Sequence, residues 1–238
     1  MNVAVIFAGG VGVRMHTKSK PKQFLNVHGK PIIVHTIELF ERHPDIDGII
    51  VVCVEDWIPY MEELKYYYHL GKVKEIVPGG ETGQMSIFNG LEAAEKYYHG
   101  DDDIVLIHDG VRPLITVEEI SANIEGVKKN GSAVTCAPVK ETIVLVGDDG
   151  QVMEVPSRDH SYMAKAPQSF YLKEILEVDR TAIADGNTAM IDSCTLMRSY
   201  GKKISVVMGS YENIKITTAD DFYMFRALSD ARENKQLI

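Results

Sequence analysis

The stretch Val3-Ala4-Val5-Ile6-Phe7-Ala8-Gly9-Gly10-Val11-Gly12-Val13-Arg14-Met15 decides how the rest of the chain is read. Residues 3–7 are a continuous apolar run, which suits a short strand buried on both faces. Three glycines within four positions follow at once. Without Cβ atoms their backbone N–H groups can approach a bulky anion, and Arg14 adds positive charge to the same loop. The spacing is not a dinucleotide fingerprint, because the third glycine position counted from Gly10 holds Met15, and no Gly-Lys-Ser/Thr follows as in a P-loop. The expectation is a phosphate-binding loop; the plainer alternative is a glycine turn with solvated cations.

Outward from this stretch, short apolar runs alternate with amphipathic ones. Strands are expected over 3–7, 48–54, 73–77, 103–108, 133–137 and 204–208, and helices over 32–40, 57–68, 84–98, 117–129, 172–184, 193–200 and 219–233. This order predicts an α/β fold, a mainly parallel sheet with helices on both faces. The alternation breaks after Pro138. Residues 142–146 and 152–155 read as two β segments around Asp148-Asp149-Gly150, a turn with an Asp-Gly step. A lone hairpin cannot bury both its faces, so residues 138–166 are read as an arm inserted in a single domain spanning 1–238, leaning on the parent domain or on another subunit.

The 238 residues are 45% hydrophobic and 25% charged, enough to build one real core. A formal net charge of -9 argues against a general nucleic-acid or membrane-surface binder. The cysteines, Cys53, Cys136 and Cys194, show no paired spacing, so neither a metal site nor a disulfide framework is expected. No apolar stretch has the length of a membrane span and the N-terminus has no signal-peptide pattern, so a cytoplasmic protein is expected.

In an open α/β sheet, ligands sit beyond the carboxyl ends of the strands. Four features fall there: the glycine loop, Gly79-Gly80, Asp109 and Lys215. Asp109 in His108-Asp109-Gly110-Val111-Arg112-Pro113 suits Mg²⁺, either directly or through water, and Arg112 suits a phosphate; equally, the two suit a structural ion pair. Arg158 lies on the arm, where a solvated arginine is the ordinary case. Thr217 or Thr218 suits the cap of the last helix. No plausible Ser or Cys nucleophile appears, so covalent catalysis has no support.

Taken together, Ala8-Gly9-Gly10-x-Gly12-x-Arg14-Met15, Pro21-Lys22-Gln23-Phe24, Gly29-Lys30-Pro31, Gly79-Gly80, His108-Asp109-x-x-Arg112-Pro113, Pro167-Gln168 and Asn213-Ile214-Lys215 resemble one family. It is the cytidylyltransferase family that includes the 2-C-methyl-D-erythritol 4-phosphate and ribitol-5-phosphate enzymes, and the resemblance runs from Val3 to about Ala227. It implies a Rossmann-like nucleotidyltransferase fold, a projecting arm, a homodimer, Mg²⁺, and CTP as co-substrate. By this resemblance Phe7, Ala8, Gly9, Gly10, Gly80, Glu81 and Ser86 hold CTP, Gly110 is a substrate-binding residue, Arg14 and Lys22 stabilise the α-phosphate, and Asp109 lies near the metal and the ribose. Arg158 and Lys215 position the polyol phosphate, and Arg112 and Thr142 shape its pocket.

The run from Arg158 to Phe170 looks closer to the ribitol-phosphate enzymes, whose product, CDP-ribitol, is a precursor of wall or capsule polymers. Three positions depart from the family pattern: Gly83 replaces an arginine, Ala166 a threonine, and Ile191 a threonine. Two other readings stay open: the methylerythritol-phosphate enzyme of isoprenoid biosynthesis, and a non-catalytic nucleotide-binding protein of the same fold.

Overall fold

Alternate residues of the first strand go to two separate cores. Ala4 and Ile6 pack with Ile33, Ile37 and Phe40 on one side, while Val3 and Val5 pack with Leu91, Ala94 and Ile175 on the other. A strand with both faces covered by helices must read as a continuous apolar run, as 3–7 does. The structure, a computed structural model, describes residues 1–8 and 20–235.

In chain order the strands are β1 (Asn2–Ala8), β2 (Asn26–Val27), β3 (Lys30–Pro31), β4 (Gly48–Cys53), β5 (Val73–Pro78), β6 (Ile104–Asp109), β7 (Ser132–Pro138), β8 (Leu145–Val146), β9 (Val152–Glu154), β10 (Tyr162–Tyr171) and β11 (Val206–Met208). The helices are α1 (Ile32–Arg42), α2 (Ile58–Tyr67), α3 (Gly83–Glu95), α4 (Val117–Asn130), α5 (Leu172–Ala184), α6 (Ser193–Ser199) and α7 (Ala219–Lys235). A 7-stranded sheet runs β11-β7-β10-β6-β1-β4-β5. All its pairings are parallel except those of β10, which is antiparallel to both β6 and β7. Helices α1, α2 and α4 cover one face and α3, α5 and α6 the other. The expected α/β architecture is the observed one.

Local chemistry sets the element ends. The hydroxyl of Thr116 caps α4 by accepting from the Glu119 N–H, and the Glu119 side chain returns to the Thr116 N–H, a full capping box. Gly131 ends that helix with φ of 82°, a left-handed conformation suited to glycine. Helix α3 lies close on the sheet: a Cβ at Gly90 would stand 2.6 Å from Val5 Cγ1 and 2.7 Å from Val52 Cγ2. Helix α2 starts at Ile58 rather than 57, with Pro59 in its first turn and a 3-10 turn over Glu55–Trp57 before it.

One correction concerns β10. Residues 162–166, read from sequence as part of the arm, belong to a ten-residue strand in the middle of the sheet. Polar Lys165, Gln168 and Ser169 together with Pro167 hide the strand pattern, yet Gln168 and Ser169 are buried. The hairpin itself forms, as a separate two-stranded sheet of β8 and β9. It leaves the main sheet after Pro138 and returns through Tyr162, which pairs with Pro138, so it springs from the same edge as the ends of β1 and β6.

Candidate active site

Asp109 is the last residue of β6 and is buried. The Arg112 N–H closes a turn on the Asp109 carbonyl at 3.1 Å, which folds the arginine back over the carboxylate. Arg112 Nε then donates to Asp109 Oδ2 at 2.7 Å, and Lys215 Nζ lies 2.5 Å from Oδ1. Burial alone pushes the Asp109 carboxyl up, but the charges of Arg112 and Lys215 outweigh it and hold the pKa at about 2. Beneath, buried His108 is held near 4, chiefly by desolvation. Its Nε2 donates to the Arg112 carbonyl at 3.2 Å, and its Nδ1 has no partner among the described residues.

The segment after β11 brings Lys215 to this point. Asn213, fully buried, donates from Nδ2 to the Ala166 carbonyl at 2.8 Å, and its own carbonyl accepts from Arg112 Nη1 at 2.9 Å. These cations border a cavity of about 280 Å³, also lined by Phe7, Asp192 and the N-terminal turn of α3. Gly83, Ala166 and Ile191, the three departures from the family pattern, all stand on its wall.

Phe7 lies under Lys215, whose Nζ is 5.9 Å from the ring centroid. Ala8 is buried, and its carbonyl accepts from Gln23 Nε2 at 2.7 Å, which ties the 3-10 turn Lys22–Phe24 to the end of β1. Lys22 is thereby held next to that strand end. The Gly110 N–H donates to the Phe7 carbonyl at 3.0 Å, joining the tips of β1 and β6.

Beyond β5, Ser86 Oγ accepts from the Gly80 N–H at 3.0 Å and donates to the Thr82 carbonyl at 2.9 Å, while Glu81 is exposed. A Cβ on Gly80 would meet Met85 Cβ at 2.5 Å, so the loop takes glycine there. Arg158 and Thr142 are exposed on the insertion and are not among the cavity's lining residues. Gly9, Gly10 and Arg14 lie outside the described residues.

A profile described as the 2-C-methyl-D-erythritol 4-phosphate cytidylyltransferase family, IspD, matches residues 2–229. The chain belongs to this family. A ribitol-5-phosphate cytidylyltransferase of Streptococcus agalactiae serotype V is 62% identical over 237 residues, which cover 100% of this chain and 98% of that protein. A 2-C-methyl-D-erythritol 4-phosphate cytidylyltransferase of Desulforamulus reducens is 40% identical over 231 residues, covering 97% and 96%. The crystal structure of 4-diphosphocytidyl-2C-methyl-D-erythritol synthase from Anaerococcus prevotii is similar with a TM-score of 0.82 at 30% identity, over 96% of both chains. This cytidylyltransferase is therefore an enzyme that takes CTP, built on the nucleotidyltransferase fold.

Two cleft residues escaped the sequence reading. Asp192 caps α6 through Oδ1, which accepts from the Thr195 N–H at 2.7 Å, and its Oδ2 accepts from Gln168 Nε2 at 3.0 Å. Lys165 donates to the Asn213 carbonyl at 3.1 Å, and burial and the Arg112 charge lower its pKa. A lysine between two alanines just before Pro167 was the available signal. Among the described residues, no helix is long and apolar enough to cross a membrane.

Proposed function

We propose that this cytidylyltransferase transfers CMP from CTP to D-ribitol 5-phosphate, giving CDP-ribitol and pyrophosphate. The observation that carries this reading is the gathering of Asp109, Arg112 and Lys215 at the carboxyl edge of the sheet, in a cavity beside the α3 N-terminus. The 62% identity over the full chain to a ribitol-5-phosphate cytidylyltransferase supports this acceptor over methylerythritol phosphate.

A phosphate oxygen of the polyol attacks the α-phosphorus of CTP. The bond from that phosphorus to the bridging oxygen breaks, and pyrophosphate leaves on the far side. No protein nucleophile takes part; the protein aligns two anions and neutralises their charge. Arg14 and Lys22 stabilise the α-phosphate, Phe7 to Gly10 with Gly80, Glu81, Ser86 and Gly110 hold the nucleotide, and Arg112, Lys215, Arg158 and Thr142 receive the acceptor.

Mg²⁺ fits this site together with substrate. Asp109 would supply one carboxylate, and Lys215, with 41% of its side chain exposed, would leave Oδ1 for an incoming phosphate. Mg²⁺ is commonly held by one or two carboxylates plus substrate phosphates. Bound there, it would neutralise charge on the triphosphate.

We also read the hairpin as the contact with a second copy of the chain. Val144, Leu145, Val146, Val152, Met153 and Val155 are all exposed on it, an apolar surface that a monomer leaves in water. A homodimer covers it and lets Arg158 serve the neighbouring site.

The test is pyrophosphate release from CTP and Mg²⁺ with ribitol 5-phosphate or methylerythritol 4-phosphate. Turnover with the ribitol compound is expected. Turnover with the methylerythritol compound alone would reverse the acceptor assignment, and nucleotide binding without turnover on either would point to a non-catalytic protein.

A further inference from the structure

Lys165 is a cation that the chemistry above leaves unused. It stands on β10 between Ala164 and Ala166, and all three residues line the same cavity. A regular strand turns successive side chains to opposite faces, so it cannot present three consecutive residues to one cleft. The ladder explains the exception. From Ala164 to Gln168 β10 advances four residues, while its partner β7 advances only two, from Cys136 to Val134. The surplus residues bulge from the sheet, a distortion that re-aims side chains. Asn213 Nδ2, bonded to the Ala166 carbonyl at 2.8 Å, holds the bulge in place.

The ammonium of Lys165 and Nη1 of Arg112 both donate to the Asn213 carbonyl, at 3.1 and 2.9 Å. Two cations thus converge on one neutral oxygen. Arg112 has a counter-ion in Asp109, but among the described residues no carboxylate forms an ion pair with Lys165. A half-buried ammonium beside a guanidinium is a repulsive arrangement that an incoming anion relieves. Of its three N–H bonds, one points to Asn213, so donors remain for a ligand.

We propose that Lys165 is a ligand of the acceptor's phosphate, joining Arg112 and Lys215 to select a phosphorylated polyol over a neutral one. This rests on the reading of the cavity as the acceptor site. A phosphate dianion presents several acceptor oxygens, and Arg112 and Lys215 already commit donors to Asp109, so a third cation has oxygens left to bind.

The experiment compares wild type, Lys165→Met and Lys165→Arg. Pyrophosphate release is measured over both CTP and ribitol 5-phosphate concentrations, with inorganic phosphate as an inhibitor against the acceptor. Lys165→Met is expected to raise the acceptor KM about 10- to 100-fold, the worth of one charge-assisted hydrogen bond. The CTP KM should stay unchanged, inhibition by inorganic phosphate should weaken by a similar factor, and Lys165→Arg should recover most of the loss.

An unaltered acceptor KM in Lys165→Met, or a rise confined to CTP, overturns the proposal. If wild type fails to use ribitol 5-phosphate, the substrate assignment falls on its own. Protection of the unfolding midpoint by inorganic phosphate then reports on Lys165, and equal protection of wild type and Lys165→Met overturns it. Should Lys165→Met not fold, Lys165→Gln is read in the same way.

Discussion

Lys215 closes the ion cluster from outside: its Nζ lies 2.5 Å from Asp109 Oδ1, with 41% of the lysine side chain exposed against 7% of the aspartate's. The two ends of this pair should therefore behave differently. Asp109→Asn leaves the Arg112 guanidinium buried without its counter-ion, a change that costs about 3–5 kcal/mol of stability. Lys215→Met removes a solvent-facing partner and should cost under about 1 kcal/mol. Its turnover should nevertheless fall on the order of 10²–10³-fold, the usual loss of a well-placed charge stabiliser. Denaturant unfolding and pyrophosphate release on both variants check this. Equal destabilisation by the two would show that Lys215 is a structural ion rather than a substrate-facing one.

The same cluster dictates how stability responds to acid. His108 has its folded pKa lowered from 6.5 to about 4, so the unfolded chain takes up the proton first and stability falls as pH drops from about 6.5 toward 4. Asp109 has its pKa lowered from 3.8 to about 2, so its contribution is complete above about 4 and is lost as pH falls through 2. Urea unfolding in chelator-containing buffer should show both limbs. His108→Gln should flatten the upper one, which is worth on the order of 3 kcal/mol, and leave the lower one. An unchanged slope between pH 6.5 and 4 in that variant would assign the limb to other groups.

The close seating of α3 makes a prediction about packing alone. At Gly90 a methyl group would come within 2.6 Å of Val5 and 2.7 Å of Val52, both on central strands. Neither β1 nor β4 can yield without disturbing its pairings, so Gly90→Ala should destabilise by about 1–3 kcal/mol through overpacking. Calorimetry measures it, and Val5→Ala in the same chain should return part of the loss. A neutral Gly90→Ala would mean that α3 moves freely relative to the sheet.

Fold and site differ in how far the sequence exposes them. Strands β1, β4 and β6 are buried on both faces, so apolar runs such as Gly48–Cys53 announce themselves. Asp109 and Arg112 are legible because one four-residue turn joins them within one motif. Strand β10 is not, since its interior carries Lys165, Pro167, Gln168 and Ser169, whose burial depends on neighbours far along the chain. The Ser169 hydroxyl donates to Asn123 Oδ1 at 2.9 Å, and Gln168 accepts from the Cys194 N–H at 2.8 Å. The meeting of Lys165 with Arg112 requires the β10 bulge and the fold of Asn213, neither of which a local pattern records. The three departures Gly83, Ala166 and Ile191 are visible in sequence, but only the fold puts them on one wall.

The hairpin supplies the last prediction. Arg158 sits on the exposed insertion away from the cavity lining, while Lys22 is fixed to the end of β1 through the turn that Gln23 anchors. If the arm of one protomer completes its partner's site, Lys22→Ala and Arg158→Ala each inactivate both sites of a homodimer. Mixed dimers then regain one intact site, built from the Lys22 of one chain and the Arg158 of the other. After unfolding and refolding an equal mixture, statistical pairing should restore roughly a quarter of wild-type turnover. Leu145→Asp with Met153→Asp in both chains should abolish that recovery and shift sedimentation toward the monomer, since charge replaces apolar contact on the hairpin. A mixture that stays inactive although the chains still pair would place Arg158 in its own protomer's chemistry, whereas an Arg158→Ala homodimer that turns over at the wild-type rate would place it outside the chemistry.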